Sequence, residues 1–148
     1  MGPMAVRILL VDSSSPFRRS AVELLTSRGY AVLQPQFRGS DGFGLKFLQA
    51  GIGQWGLAMQ DDVTDGAKWL VSEGIADPAR MCIVGGSYGG YAALWGLVKT
   101  PDLFRCGVSF AGVTDLNFML TDDSDRNDEI SVRMQQRGIS PAVLDALL

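Results

Sequence analysis

The sequence predicts an α/β fold: a three-layer sandwich around a mainly parallel sheet of about four strands. Short apolar runs rich in β-branched residues alternate with longer stretches at helical spacing, and Gly or Pro closes most segments. The strand runs are nearly continuous in apolar character, as strands buried on both faces must be, so helices are expected above and below the sheet.

Val6-Arg7-Ile8-Leu9-Leu10-Val11 is the first of these runs, too short for a helix and apolar enough for a central strand. After a loop from Asp12 to Pro16, residues 18–28 put Ala21, Val22, Leu24 and Leu25 on one helical face, and Gly29 supplies the stop. Tyr30-Ala31-Val32-Leu33 is a second strand that ends before Pro35, a residue tolerated only where sheet pairing is over. Residues 38–56 carry Gly39, Gly42, Gly44, Gly51, Gly53 and Gly56, which predicts a long connection without regular structure, packed on the domain by its aromatics.

In residues 57–72, Met59, Val63, Ala67 and Leu70 recur at helical spacing, while Asp61, Asp62, Asp65 and Lys68 fall on other faces. Gly74 closes that helix, Asp77-Pro78 turns the chain, and Met81-Cys82-Ile83-Val84 forms a third buried strand. Residues 88–99 read as an unusually apolar helix, with Ala92, Ala93, Leu94, Leu97 and Val98, predicted to be sandwiched. Thr100-Pro101 ends it, and residues 106–113 read as a fourth strand. The polar stretch 121–129 is expected to be a solvated loop, 130–137 a short helix, and Ser140-Pro141 the cap of a last helix over 142–148. This alternation argues for an open sheet of about four parallel strands joined by right-handed crossovers.

Composition narrows the function classes. The chain has 148 residues, 47% hydrophobic and 20% charged, as expected of one soluble α/β domain. Its formal charge is −3 and its 13 Lys and Arg are scattered, so no basic stripe suggests nucleic acid as a partner. No apolar run approaches the roughly 20 residues that cross a bilayer, so no membrane partner is expected. Met1-Gly2-Pro3-Met4 lacks the features of a signal peptide, so a cytoplasmic chain is expected, with residues 1–3 set aside as a leader. Cys82 and Cys106 open apolar runs and are expected as buried free thiols. With no histidine and no cysteine cluster, neither a metal site nor a cofactor is expected.

The chemistry-bearing motif is Gly85-Gly86-Ser87-Tyr88-Gly89, which follows a strand and opens a helix. That is the context of a nucleophile elbow, where a serine sits on a sharp turn with small residues on either side. Ser87 is the predicted catalytic nucleophile, and the Tyr88 backbone N–H a predicted oxyanion donor at the helix start.

Around that motif residues 27–120 resemble the catalytic domain of the prolyl oligopeptidase family, especially its acylaminoacyl-peptidase-like branch. The resemblance rests on Ser27-Arg28-Gly29-Tyr30-Ala31-Val32-Leu33-Gln34-Pro35, Phe37-Arg38-Gly39-Ser40-Asp41-Gly42-Phe43-Gly44, Trp55-Gly56, Gln60-Asp61-Asp62-Val63 and Asp65-Gly66. It continues through Gly85 to Tyr91, then Pro101-Asp102-Leu103-Phe104 and Ala111-Gly112-Val113-Thr114-Asp115-Leu116. It implies an α/β-hydrolase core, a peptide or ester substrate, Ser87 as nucleophile and an oxyanion amide at Tyr88. In the family the catalytic Asp and His lie downstream of the elbow, and neither is reached here. The family's second oxyanion donor comes from the loop after the first strand, which here reads Asp12-Ser13-Ser14-Ser15-Pro16.

The opening has a resemblance of its own. Arg7-Ile8-Leu9-Leu10-Val11-Asp12-Ser13-Ser14, Phe17-Arg18-Arg19, Leu24-Leu25 and Gly29-Tyr30-Ala31-Val32 are similar to the start of a response-regulator receiver domain. A receiver has an acidic pair after its first strand and a phosphorylated Asp after its third; here Ser13 and Gly85-Gly86-Ser87 stand instead, so neither Mg²⁺ nor phosphotransfer is expected. Flavodoxin-like and α/β-hydrolase sheets share the order 2-1-3-4 in this segment, which makes a graft possible. The expected layout is a leader at 1–3, a receiver-like unit at 4–26, a hydrolase-like core at 27–120, and a polar loop with helices at 121–148.

The sequence reading is therefore a truncated or chimeric serine hydrolase domain, inactive or weakly hydrolytic alone. The alternative is a recombined or engineered scaffold without catalysis, and a receiver-like signalling module ranks below both. Gly51-Ile52-Gly53-Gln54-Trp55-Gly56 fits a dinucleotide pattern but lies in a loop, Asp61-Asp62 reads as a solvated helix face or as N-terminal charge favourable to the helix dipole, and Asp115 and Asp122 have no imidazole to orient. A sheet edge left free after the fourth strand predicts a homodimer or swapped assembly.

Overall fold

The computed structural model describes residues 7–12 and 15–119, with side chains from Arg19 onward. The elements are β1 (Arg7–Asp12), α1 (Ser15–Ser27), β2 (Ala31–Leu33), α2 (Leu45–Gln49), α3 (Ala58–Ser72), a 3₁₀ turn (Pro78–Arg80), β3 (Met81–Gly86), α4 (Tyr88–Lys99) and β4 (Cys106–Phe110). The expected leader 1–3, the Ser13-Ser14 pair, the polar loop 121–129 with Asp122, and the helices 130–137 and 142–148 lie outside the described residues.

The four strands form one sheet in the order β2-β1-β3-β4, and each neighbouring pair is parallel. β1 pairs with β3 from Arg7↔Met81 to Asp12↔Gly86, and β3 pairs with β4 from Cys82↔Cys106 to Gly86↔Phe110. Gly85 and Gly86 are weak strand formers, yet partners on both sides draw them into β3, two residues beyond the apolar run. β4 stops at Phe110, three residues short of the predicted end at 113, because Ala111 turns the chain with φ 47°.

Local stops explain the helix boundaries. Gly29, at φ 81°, ends α1: its N–H bonds to Thr26 O at 3.0 Å and that of Tyr30 reaches Leu25 O at 3.1 Å, a Schellman pattern that satisfies two of the last carbonyls. The glycine-rich segment departs from its expected irregularity. Leu45-Lys46-Phe47-Leu48-Gln49 belongs to the longest run there without glycine and is made mostly of good helix formers, so it forms α2 between Gly44 and Ala50.

Right-handed crossovers put α3 and α4 on one face of the sheet and α1 on the other. α1 packs on β1 and β2, α4 on β1, β3 and β4, and α3 against α4. The core lies between α3, α4 and the sheet, where Val63, Ala67, Ile83, Ala92 and Ala93 are fully buried. α4 is not sandwiched on every side: Ala92 and Ala93 face inward, while Val98 is 67% exposed on its outer stripe.

The cysteines overturn the expectation of free thiols. Cys82 and Cys106 are register partners whose side chains share a face, with Cα atoms 4.7 Å apart, and they form a disulfide. Their separation of 24 residues in sequence conceals this, because only the β3–β4 register makes them neighbours.

α4 approaches β4 and the turn after it closely. A Cβ on Gly90 would stand 2.6 Å from Gly112 Cα and 2.7 Å from Ser109 Oγ. Gly90→Ala is expected to destabilise the fold by about 2 kcal/mol, the usual range for overpacking a tight contact, read as a lower urea midpoint. Gly107→Ala, which meets the flexible end of Leu97 at 2.7 Å, should cost less; equal losses at both sites would contradict this account.

Candidate active site

β3 ends in Gly85 and Gly86, α4 begins at Tyr88, and Ser87 is the single residue between them. Its backbone stands at φ 55°, ψ −120°, a region L-residues rarely occupy. Such a conformation costs on the order of 1–3 kcal/mol and persists only when its surroundings impose it. Here the Ser87 N–H donates to Phe110 O at 3.0 Å, and Ser87 O accepts from the N–H groups of Gly90 at 2.9 Å and Tyr91 at 3.2 Å.

Serine at a helix N-terminus ordinarily turns its hydroxyl back to cap the first turn. Ser87 makes no such bond and its side chain is exposed. With the Gly90 and Tyr91 N–H groups given to Ser87 O, those of Tyr88 and Gly89 have no acceptor in the helix and carry its positive dipole end, so they favour negative charge beside Ser87. A hydroxyl held out on a strained turn next to free amide donors is an arrangement suited to attack on a carbonyl.

Beneath the serine, the side chain of Tyr88 points inward. Its ring lies 5.2 Å from Phe37 and 4.6 Å from Trp55, and Trp55 lies 5.4 Å from Tyr91. Burial, then the neighbouring Tyr91 and Asp62, raises the Tyr88 phenol well above its ordinary value, and burial pushes Tyr91 up to about 12. Both stay neutral at physiological pH and serve as packing rather than as bases.

The same loop is tied to α3 by an ion pair that sequence reading missed. Arg38 donates from Nε to Asp62 Oδ2 at 2.7 Å, from Nη2 to Oδ1 at 2.6 Å, and from its backbone N–H to Oδ2 at 2.9 Å. Asp61 pairs with Lys99 Nζ at 2.7 Å. The Asp61-Asp62 pair is therefore not merely a solvated face: its two carboxylates hold two different elements, the loop after β2 and the end of α4. The available signal was Arg38-Gly39-Ser40, a cation fixed in a glycine-rich loop. Trp95 Nε1 and Lys99 Nζ both donate to Gly56 O, at 3.0 and 3.1 Å, and complete the strap.

The remaining predicted positions do not converge on Ser87. Residues 51–56 lie in turns before α3 and follow no strand, and Asp115 Oδ1 accepts from the Phe118 N–H at 2.8 Å as a local cap. No described helix is long and apolar enough to cross a membrane.

Comparison with known proteins settles the ancestry. A model of the prolyl oligopeptidase family matches residues 16–141. The chain belongs to that family. Over 122 residues it is 43% identical to dipeptidyl aminopeptidase BIII of Pseudoxanthomonas mexicana, covering 78% of this chain and 18% of the relative. Over 92 residues it is 49% identical to dipeptidyl peptidase family member 6 of Caenorhabditis elegans, covering 62% of this chain and 12% of the relative. A puromycin-hydrolyzing peptidase of Mycobacterium tuberculosis superposes over 98% of this chain and 23% of its own, with TM-score 0.78 and 27% identity. That superposition spans nearly the whole chain, although the family match begins only at residue 16, inside α1.

Electrostatics of the Arg38–Asp62 pair gives a pH expectation. Burial pulls the Asp62 carboxyl up, but the hydrogen bonds from the Arg38 side chain and backbone, with its charge, outweigh burial and hold it below its ordinary value of 3.8. A depressed folded-state value adds stability above about pH 4 and loses it as pH falls through the folded value. Asp62→Asn should therefore lower Tm at pH 7 and flatten its fall below pH 4. Parallel acid-side profiles for the two proteins would refute this assignment.

Proposed function

We propose that these residues carry the nucleophile half of a serine peptidase or esterase site, with Ser87 as the attacking hydroxyl on a nucleophile elbow and the Tyr88 N–H as an oxyanion donor. One observation carries the reading: an exposed serine at φ 55° between β3 and α4, with no capping bond, in a chain of a peptidase family. Family membership supports an amide or ester substrate of peptide type. The layering, with α1 on one face and α3 and α4 on the other, supports a single α/β-hydrolase core. The chain spans 18% and 12% of the two curated relatives, so the choice of substrate belongs to the whole protein.

Attack by Ser87 needs a base to take its proton and return it to the leaving group. None of the 148 residues is histidine. Tyr88 and Tyr91 stay protonated, and Asp62 is committed to Arg38. These residues alone are therefore at most weakly hydrolytic, because loss of triad members costs several orders of magnitude in rate. The missing histidine also favours a second reading, a scaffold with no substrate. For partners, we propose pairing of two copies along β4, whose described neighbour is β3 alone; a monomeric mass by light scattering would remove that idea.

A fluorophosphonate probe separates the two functional readings. Slow covalent addition of one probe per chain is expected at Ser87 and is expected to vanish in Ser87→Ala, with activated-ester turnover within about tenfold of the buffer rate. Addition elsewhere, or none after prolonged exposure, would remove the nucleophile assignment. Enzyme-like turnover lost in Ser87→Ala would instead mean that another group supplies the base.

A further inference from the structure

The Cys82–Cys106 bond takes no part in the chemistry above, and its surroundings set it apart from a buried structural link. Alternation along β3 and β4 puts Ile83 and Gly107 toward α4, where a Cβ on Gly107 would meet Leu97 Cδ1 at 2.7 Å. Cys82, Val84, Cys106, Val108 and Phe110 consequently share the opposite face. α1 covers that face over β1 and β2, and the main contacts of the described helices on that face do not extend to its β3–β4 half. Cys106 is exposed and Cys82 half-buried, while Val108 and Phe110 beside them are 53% and 61% exposed.

Thiol–disulfide exchange requires a thiolate to reach one sulfur of the bond, so accessibility at one end decides whether the bond can be opened without unfolding. Cys106 offers that end. The strands do not depend on the bond for their pairing, since the β3–β4 register continues from Ile83↔Gly107 to Gly86↔Phe110 and α4 packs across both. A bond that is reachable and dispensable for strand pairing can cycle within the folded protein.

We propose that Cys82–Cys106 is a redox-active thiol-exchange site, opened in the folded chain by a small dithiol that attacks at Cys106. One thiolate of the dithiol attacks Cys106 Sγ, the Cys82–Cys106 bond breaks, and the electron pair leaves on Cys82 Sγ, which takes up a proton. The second thiolate then attacks the dithiol's own sulfur in the mixed disulfide, and Cys106 leaves and is protonated. Two electrons and two protons pass to the cysteine pair, and the dithiol becomes a disulfide. Because the bridged segment contains β3, α4 and Ser87, opening it loosens the unit that holds the serine, and Tm is expected to fall by roughly 5–10 °C.

The test uses the 148-residue chain equilibrated with oxidised glutathione and then treated with a maleimide mass tag. No tag is expected before reduction, and two tags after millimolar dithiothreitol in the absence of denaturant, with the far-ultraviolet circular dichroism unchanged. Tags already present in the oxidising buffer would overturn the pairing; tags appearing only after denaturation would overturn accessibility. For the entry point, Cys106 in Cys82→Ser should be tagged more than tenfold faster than Cys82 in Cys106→Ser, and equal or reversed rates would overturn it. Should either variant fail to fold, the dithiothreitol series on the unmodified chain still decides accessibility.

Discussion

The close approach of α4 to β3 and to the turn after β4 is the constraint on which the rest of the structure depends. It is possible only because Gly89, Gly90, Ala92, Ala93 and Gly96 line the inner side of the helix, and because Gly112 faces Gly90 with nothing between them. Packing at that distance leaves no room for a relaxed link from strand to helix. Ser87 therefore takes the strained conformation, anchored by its N–H to Phe110 O and by its carbonyl to the first turn of α4. The exposure of its hydroxyl is a consequence of helix packing rather than a local preference of serine.

A second layer of constraint keeps α4 in place from outside. The glycine-rich loop between β2 and α3 brings Phe37 and Trp55 onto Tyr88, and Arg38, held by both carboxylate oxygens of Asp62, fixes the loop to α3. Lys99 joins the far end of α4 to Asp61 and to Gly56 O. The polar contacts are partly exposed and set geometry more than they add stability, while the buried aromatics supply the cohesion. The conformation of Ser87 thus rests on residues distant from it in the sequence, in the loop after β2, in α3 and at the end of α4.

Much of the fold was legible in advance, for reasons that differ by element. α4 was readable to the residue because a serine turn opens it and Thr100-Pro101 closes it; Gly74 likewise marked the end of α3, whereas α1 begins at Ser15, inside the stretch read as a loop, because Ser15 and Pro16 suit a helix start. β3 was read two residues short, since glycine has no strand preference of its own and enters the sheet only because β1 and β4 flank it. α2 was missed because the glycines around it dominated the reading, although they interrupt the loop without entering the helix. The serine motif stood out because strand, glycines, serine and helix follow one another directly in the chain. The Arg38–Asp62 clamp did not, since its members lie 24 residues apart and nothing local marks them as partners.

By itself the sequence determined the alternation of strands and helices and the position of the serine between them, because each of these is a property of neighbouring residues. The strain at Ser87, the loop strap and the Cys82–Cys106 link were decided only by tertiary structure. Each depends on which distant segments the sheet register and the helix packing bring together, and chain distance carries no record of that.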